Sequence, residues 1–468
     1  MKENQSKKNR SINPFVLIFF VIAICGILAF VITPGVIENG VYTALPRNEV
    51  NFNNIYNIFR AIPYGIKDSA TVIVTILVIG GALEIYRRTG VIDSSINSLV
   101  KHFGKKAQLV PLLILMLVFS ILGGFMGWIE TMVPFMPLVV AVVLALGYDS
   151  LTAVAICIIS LMGGFMAGPT NLLTVGVFNT TLQNIGAQPE GADVLAGFGL
   201  RLVLWLVITA VSMLYICTYA TRVRRDPSKS LVAGVDVSDL MIDTSEADKA
   251  RITVPQLITM LTIVVALIMS LIGMRTGFNG VVWGLDEFSA IFLVSAIVSG
   301  LVSKLSAGEI ADGLIKGAST AVGGAMVVGL ARGVYWILDT SHINATIIHS
   351  AIELLEGTSP LVAAAGIVII VSFINGLIPS GSGKGALLAP ILAPIGLSLG
   401  LENEVTVLAY QFGDGITNMF WFSYGTLLIF LGYGKVSLNK WYRFFVPLMI
   451  VFYVIAFIFL AIALKLAG

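Results

Sequence analysis

Apolar residues run through this chain in sparsely charged blocks of about twenty, the length an α-helix needs to cross the hydrocarbon of a bilayer. Nine blocks predict spanning helices at 14–33, 66–86, 151–186, 197–220, 254–274, 287–303, 317–338, 405–432 and 442–466. Two of them are interrupted, 151–186 at 167–171 (Ala167 to Asn171) and 405–432 at 413–418 (Gly413 to Asn418). Two further apolar blocks, 108–147 and 361–400, bend at glycine-rich tips and predict re-entrant hairpins. Each follows an amphipathic stretch, Tyr86 to Lys106 and Asp339 to Pro360. Lipid offers no partner to free N–H and C=O groups, so backbone that leaves the helix at membrane depth must line protein or a wet cavity. The tips and breaks are therefore where a site is expected.

The interruptions pair up. Gly123 aligns with Gly376, Pro137 with Pro390, Gly147 with Gly400, and Thr170-Asn171 with Thr417-Asn418, with a few residues of slippage. Span 14–33 then corresponds to 287–303 and span 66–86 to 317–338, while 254–274 is left over as the extra crossing that turns the second repeat upside down. The predicted fold is an all-α polytopic membrane protein of two inverted repeats with opposed re-entrant hairpins and broken helices. Its first repeat covers 1–221, a cytoplasmic linker and the inverting span 222–286, and the second repeat 287–468. Interrupted segments in matching positions of two halves point to a transporter site at the repeat interface.

Composition agrees: of 468 residues 57% are hydrophobic and 12% charged, and the mean hydropathy is +0.95. The net charge of +2 hides a strong topological asymmetry, and the expected partners are the bilayer and a small molecule, not nucleic acid. The predicted inner loops hold twenty Lys and Arg residues against three outside, Arg47, Arg60 and Arg275. That places the N-terminus in the cytoplasm of a multi-pass protein of the cell's inner (plasma) membrane. Lys2, Lys7, Lys8 and Arg10 precede the first span, which reads as retained rather than as a cleaved signal. Cys25, Cys157 and Cys217 lie in apolar segments without metal-like spacing, which argues against disulfides and zinc.

An ionisable group inside a membrane segment is costly and defaults to a functional or paired role. Glu130 stands at the first tip, Lys384 at the second and Asp414 in the second break; Glu84, Arg201 and Arg332 lie in spans, the two arginines read as structural or snorkelling. Glu130 aligns beside Lys384, so the two could bridge the tips or divide a substrate between them. The candidate substrate-binding residues are Glu130, Thr131, Thr170, Asn171, Ser380, Ser382, Lys384, Asp414, Thr417 and Asn418. Thr170, Asn171, Thr417 and Asn418 bring hydroxyl and amide oxygens beside freed carbonyls, hard donors that suit Na⁺ as a coupling ion or a substrate carboxylate.

Three enzyme-like patterns fail. Ser380-Gly381-Ser382-Gly383-Lys384-Gly385 lacks the first glycine and the final hydroxyl of a phosphate loop. Tyr148-Asp149 with Gly413-Asp414 suggests an intramembrane aspartyl protease, but Gln411 stands where a glycine is needed. His102, His342 and His349 form no His-Glu-x-x-His arrangement. No catalytic residue and no organic cofactor is expected.

Gly127-Trp128-Ile129-Glu130-Thr131-Met132-Val133-Pro134-Phe135 with Leu146-Gly147-Tyr148-Asp149-Ser150 resembles the YfcC-type branch of the C4-dicarboxylate anaerobic carrier (DcuC-like) family, within the ion transporter superfamily. So do Ile378-Pro379-Ser380-Gly381-Ser382-Gly383 and Gln411-Phe412-Gly413-Asp414-Gly415-Ile416-Thr417-Asn418, and the resemblance covers nearly the whole chain. It implies a homodimer that works by an elevator motion, and a substrate among basic amino acids, dicarboxylates and short-chain fatty acids. The family's first tip commonly carries two adjacent glutamates, where this chain has Glu130-Thr131, and Lys384 stands where a neutral residue is frequent; both make the site less acidic. The expectation is a secondary active transporter of a carboxylate-bearing metabolite: an amino acid, basic if it exchanges as arginine and ornithine do, or else a C4-dicarboxylate or short-chain carboxylate. In that reading Glu130 and Asp414 receive an amino or guanidinium group, while Lys384, Ser380, Ser382 and the Thr-Asn pairs take the carboxylate. A channel and an intramembrane hydrolase are the alternatives from other classes.

Overall fold

The structure, a computed structural model, describes residues 14–467 apart from 39–40, 51, 53, 104–108, 185, 189–196, 243–250 and 279. Lys2, Lys7, Lys8, Arg10, Lys105, Lys106 and Lys249, on which the expected orientation partly rests, lie outside the described residues.

The first half runs α1 (Pro14–Val31), strands β1 (Gly35–Glu38) and β2 (Val41–Ala44), α2 (Tyr56–Asp68), α3 (Ala70–Arg88) and α4 (Val91–Phe103). It continues through α5 (Leu109–Ile121), a π-turn, a 3₁₀ turn (Glu130–Phe135), α6 (Met136–Ala145), α7 (Ser150–Met166), a second π-turn (Leu172–Gly176), α8 (Val177–Asn184) and α9 (Phe198–Arg225). The second half has α10 (Val254–Thr276), α11 (Leu285–Val302), α12 (Ala307–Thr340), α13 (Ile343–Glu353), α14 (Pro360–Leu377), α15 (Gly381–Ser398), α16 (Asn403–Asn418), α17 (Gly425–Tyr433) and α18 (Leu438–Ala467). Eight of the described helices are long and apolar enough to cross a membrane: α3, α5 with its π-turn, α9, α10, α11, α12, α14 and α18. The one sheet among the described residues is the antiparallel β1–β2 hairpin, with Gly35 opposite Ala44.

Two groups of helices make the body. In the first, α12 lies along α2 and α3, with α1, α10 and α11 around them. Glycines set that contact: a Cβ on Gly317 would stand 2.2 Å from the Gly80 carbonyl oxygen, and one on Gly65 2.4 Å from that of Gly329. Only small residues let helix backbones approach so closely. In the second group α7 and α16 cross at the centre, flanked by α5 and α9 on one side and by α14, α15 and α18 on the other. Every residue of α7 is buried, as befits a helix apolar all round. The groups meet where α17 packs on α12 and the 3₁₀ turn on α3.

Three boundaries differ from the sequence pattern. The block 66–86 straddles a turn at Ser69 that separates α2 from α3 and exposes Asp68 beside it. The expected break at 413–418 is unbroken helix; α16 runs to Asn418 and the chain departs at 419–424. Gly413 and Gly415 mark close contact rather than a break, since Cβ atoms there would come 2.6 Å from the Val368 carbonyl oxygen and 2.2 Å from Met166. The second tip is also tighter than its prolines suggest: only Ile378, Pro379 and Ser380 are outside helix, and Pro390 and Pro394 lie within α15. The break at 167–171 stands where expected, between α7 and the second π-turn.

Candidate functional site

Both tips reach one cavity. At the first, α5 loosens into the π-turn Leu122–Met126, Gly127 takes a left-handed conformation (φ 73°) that a side chain would strain, and the 3₁₀ turn brings Glu130 and Thr131 round. At the second, the chain is extended at Ser380, whose Oγ caps α15 by accepting from the Gly383 N–H at 3.2 Å. The cavity between them holds about 590 Å³ and is lined by Glu130, Thr131, Ser380, Ser382 and Asn418 together with aromatic Phe125, Trp128 and Phe165. That is the scale of a site for one small metabolite.

Its charged lining, among the described residues, is Asp68, Glu130 and Arg332. Glu130 Oε1 accepts a 2.7 Å hydrogen bond from the hydroxyl of buried Tyr424. Across the cavity Arg332 Nε stands 3.9 Å from Asp68 Oδ2, a loose pair with both side chains about a third or more exposed, and its guanidinium lies over Tyr335. Arg332, which its place in an apolar span marks as structural or snorkelling, thus also stands in the cavity wall.

Behind this surface lies a second layer. Lys384, Asp414 and Asn375 are fully buried, and Lys384 Nζ donates to Asp414 Oδ1 at 2.7 Å, to the Ile378 carbonyl at 3.4 Å and, at short range, to Asn375 Oδ1. Asn375 Nδ2 in turn donates to the Asp414 carbonyl (3.0 Å), Thr417 Oγ1 (3.0 Å) and Asn418 Oδ1 (2.8 Å). A bridge from Glu130 to Lys384 is thus not formed; each has its own partner. Of the ten candidates five line the cavity, and Thr170, Asn171, Lys384, Asp414 and Thr417 are packed behind it.

Polar side chains satisfy the backbone freed at both breaks. Asn171 Nδ2 donates to the Phe165 carbonyl (3.0 Å) while its Oδ1 accepts from the Leu173 N–H (3.1 Å), and Thr170 Oγ1 donates to the Phe125 carbonyl (3.0 Å), tying first break to first tip. Gln411 Nε2 reaches across from α16 to the carbonyls of Phe165 (3.2 Å) and Gly168 (3.0 Å). At the second break Trp441 Nε1 donates to Met419 O (2.8 Å) and the Tyr442 hydroxyl to Phe420 O (2.8 Å), while Trp421, itself in the break, donates from Nε1 to Ser372 O within α14 (2.6 Å). Gln411, Asp414 and Asn418 sit on one stripe of α16 at helical spacing, which is why a single helix serves both layers. Asp149 is far from this work: it caps α7 through the Thr152 N–H (2.8 Å) and accepts from Tyr219 (2.7 Å) and Ser230 (2.6 Å), anchoring the linker.

Asp68, Arg332, Tyr424, Asn375 and Gln411 were not among the candidates. Arg332 carried a signal, a cation in an apolar span; Tyr424 and Gln411 carried none that distinguishes them from packing residues.

A family model described as C4-dicarboxylate anaerobic carrier matches residues 44–465. The Escherichia coli (strain K12) protein named "Putative basic amino acid antiporter YfcC" is 30% identical over 387 residues, 80% of this chain and 73% of its own length. An uncharacterized protein of Haemophilus influenzae is 28% identical over 424 residues, 89% and 80% of the two chains. Among solved structures, the Alcanivorax borkumensis YdaH transporter has a similar fold, with a TM-score of 0.50 at 16% identity over 97% of this chain and 98% of that one. Neisseria gonorrhoeae MtrF, from a class of antimetabolite efflux pumps, gives a TM-score of 0.47 at 18% identity over 97% and 95%.

Proposed function

The chain belongs to the C4-dicarboxylate anaerobic carrier family and is a membrane transporter, not an enzyme; from that premise we propose that it is a secondary active exchanger of basic amino acids. The observation that carries the reading is the charge set of the cavity wall, two carboxylates and one guanidinium: Asp68, Glu130 and Arg332. A basic amino acid is its complement, two cations and one carboxylate. Glu130, held by Tyr424, takes the side-chain cation; Asp68 and Arg332 open their loose pair to take the α-ammonium and α-carboxylate. Ser380, Ser382 and the first N–H groups of α15 add neutral donors for the carboxylate. A dicarboxylate would enter with two negative charges against a net negative wall, and the Lys384 behind that wall is committed to Asp414.

The matching order of tip and broken helix in the two halves supports inverted repeats, and with the family resemblance it supports alternating access by an elevator motion of a homodimer. The expected orientation has the N-terminus in the cytoplasm of the plasma membrane. At the first break we assign Na⁺ beside Thr170 and Asn171, where the oxygens are neutral and where Gln411 Oε1 and Thr174 Oγ1 are buried with no hydrogen-bond partner.

Binding of a panel to purified protein tests the reading: arginine, ornithine and lysine, the neutral analogue citrulline, and succinate, fumarate and malate. Cationic amino acids should bind and the others at least tenfold more weakly. Tight binding of a C4-dicarboxylate overturns it.

A further inference from the structure

We propose that the ε-ammonium of Lys384 is a tethered cation: it fills an oxygen cage between the second tip and α16 that would otherwise need an inorganic ion, so the second half carries its cation covalently.

The cage spans three elements. Asn375 comes from the end of α14, Ile378 offers its carbonyl from the tip itself, and Asp414 comes from α16. An ammonium has three N–H donors and no acceptor. Lys384 Nζ finds three acceptors here, Asn375 Oδ1, Ile378 O and Asp414 Oδ1, and the side chains of Lys384, Asn375 and Asp414 are fully buried. An amide oxygen, a main-chain carbonyl and a carboxylate are the hard donors an alkali cation selects. The Thr417-Asn418 pair, matched in sequence to Thr170-Asn171, is drawn into the same network: Asn375 Nδ2 donates to both Thr417 Oγ1 and Asn418 Oδ1, occupying oxygens that a second Na⁺ would use.

The two halves differ in this respect. Among the described residues the side-chain oxygens of Gln411 and Thr174 at the first break have no hydrogen-bond partner, whereas at the second tip the oxygens facing Lys384 are taken and a charge is built in. The asymmetry follows from where the lysine is rooted. Lys384 lies one turn into α15, on the return arm of the tip, so its side chain reaches back across the tip to α16 and crosslinks the arms electrostatically. An ion shared with solvent would let that joint open whenever it dissociates. A tethered ion cannot leave, so the second tip stays closed on α16 irrespective of external Na⁺. The one ion assigned to the first break is then the only inorganic ion that the first break and the second tip require.

The test needs no transported substrate, so it stands or falls independently of the proposed substrate class. Purified protein in lipid nanodiscs is melted in choline, sodium and methylammonium chloride at equal ionic strength, with Asn171→Ala present throughout to silence the first break. In that background the midpoint should be the same in sodium as in choline. Adding Lys384→Ala should lower the midpoint in choline and produce a saturable rise of a few degrees with methylammonium or sodium, and adding Asp414→Asn should abolish that rise. A sodium-dependent midpoint with Lys384 intact that Asp414→Asn removes overturns the proposal, even if the lysine variant cannot be produced. So does a folded Lys384→Ala protein that melts at one temperature in all three salts.

Discussion

Glu130→Gln keeps the size of the side chain and removes its charge, and it should cost the transporter its preference for cations rather than its fold. Tyr424 would go from a charge-assisted bond at 2.7 Å to a neutral one. The two kinds differ by about 1 kcal/mol in net stability, small enough for the protein to fold. The substrate loses more. Removing one partner of a desolvated charge pair costs about 2–5 kcal/mol, and at about 1.4 kcal/mol per tenfold the apparent affinity for arginine should fall by between about thirtyfold and a few thousandfold. Citrulline has arginine's shape without its charge, so the mutation should hardly change its weak affinity. The assay is exchange into proteoliposomes loaded with unlabelled arginine, with both ligands competing against labelled arginine for wild type and variant, which closes a four-cornered cycle. Discrimination between arginine and citrulline should collapse towards unity. If the variant loses both ligands equally, Glu130 shapes the tip instead of reading charge; if the ratio survives, the cation binds elsewhere.

Gly164→Ala would place a Cβ 2.3 Å from the Ser120 carbonyl oxygen, so it should destabilise by about 1–3 kcal/mol or more, whereas Gly323→Ala, with nothing within 4 Å, should be neutral or slightly stabilising; thermal melts of the purified proteins decide. Arg332→Gln should weaken arginine more than agmatine, which lacks the α-carboxylate, and equal loss of both would remove Arg332 from carboxylate recognition. Asn171→Ala removes two hydrogen bonds at the first break and should abolish any stimulation of exchange by Na⁺; stimulation that persists would return Asn171 to capping alone.

What could be read from the chain depended on whether the physics was local. Length and apolarity of a block are local, and the helices, the first break and both tips follow from them. The glycines of α16 misled because a glycine in an apolar tract has two physical meanings, a break and a close approach. Only the neighbour, Val368 or Met166, tells which. Charge gave a similar half-answer: Glu130, Lys384 and Asp414 were conspicuous in lipid-length segments, but their partners lie far along the chain. The pairing of Asp68 with Arg332 was out of reach for the same reason, being an encounter between α2 and α12 made possible by the turn at Ser69.

The indole groups at and beside the second break have a consequence in photophysics. Of the six tryptophans, Trp441 is fully buried, stacked on Phe445 at 5.4 Å and bonded through its N–H to Met419 O, while Trp421 bonds to Ser372 O and lies against Gly376, one turn from the tip. Indole emission shifts with the polarity around the ring and with the state of its N–H. Any rearrangement that frees those carbonyls must therefore change the colour of the light these two residues emit. With Trp128 and Trp283 on the cavity wall, binding and the state of the break can be followed in the unlabelled molecule by excitation of its own side chains.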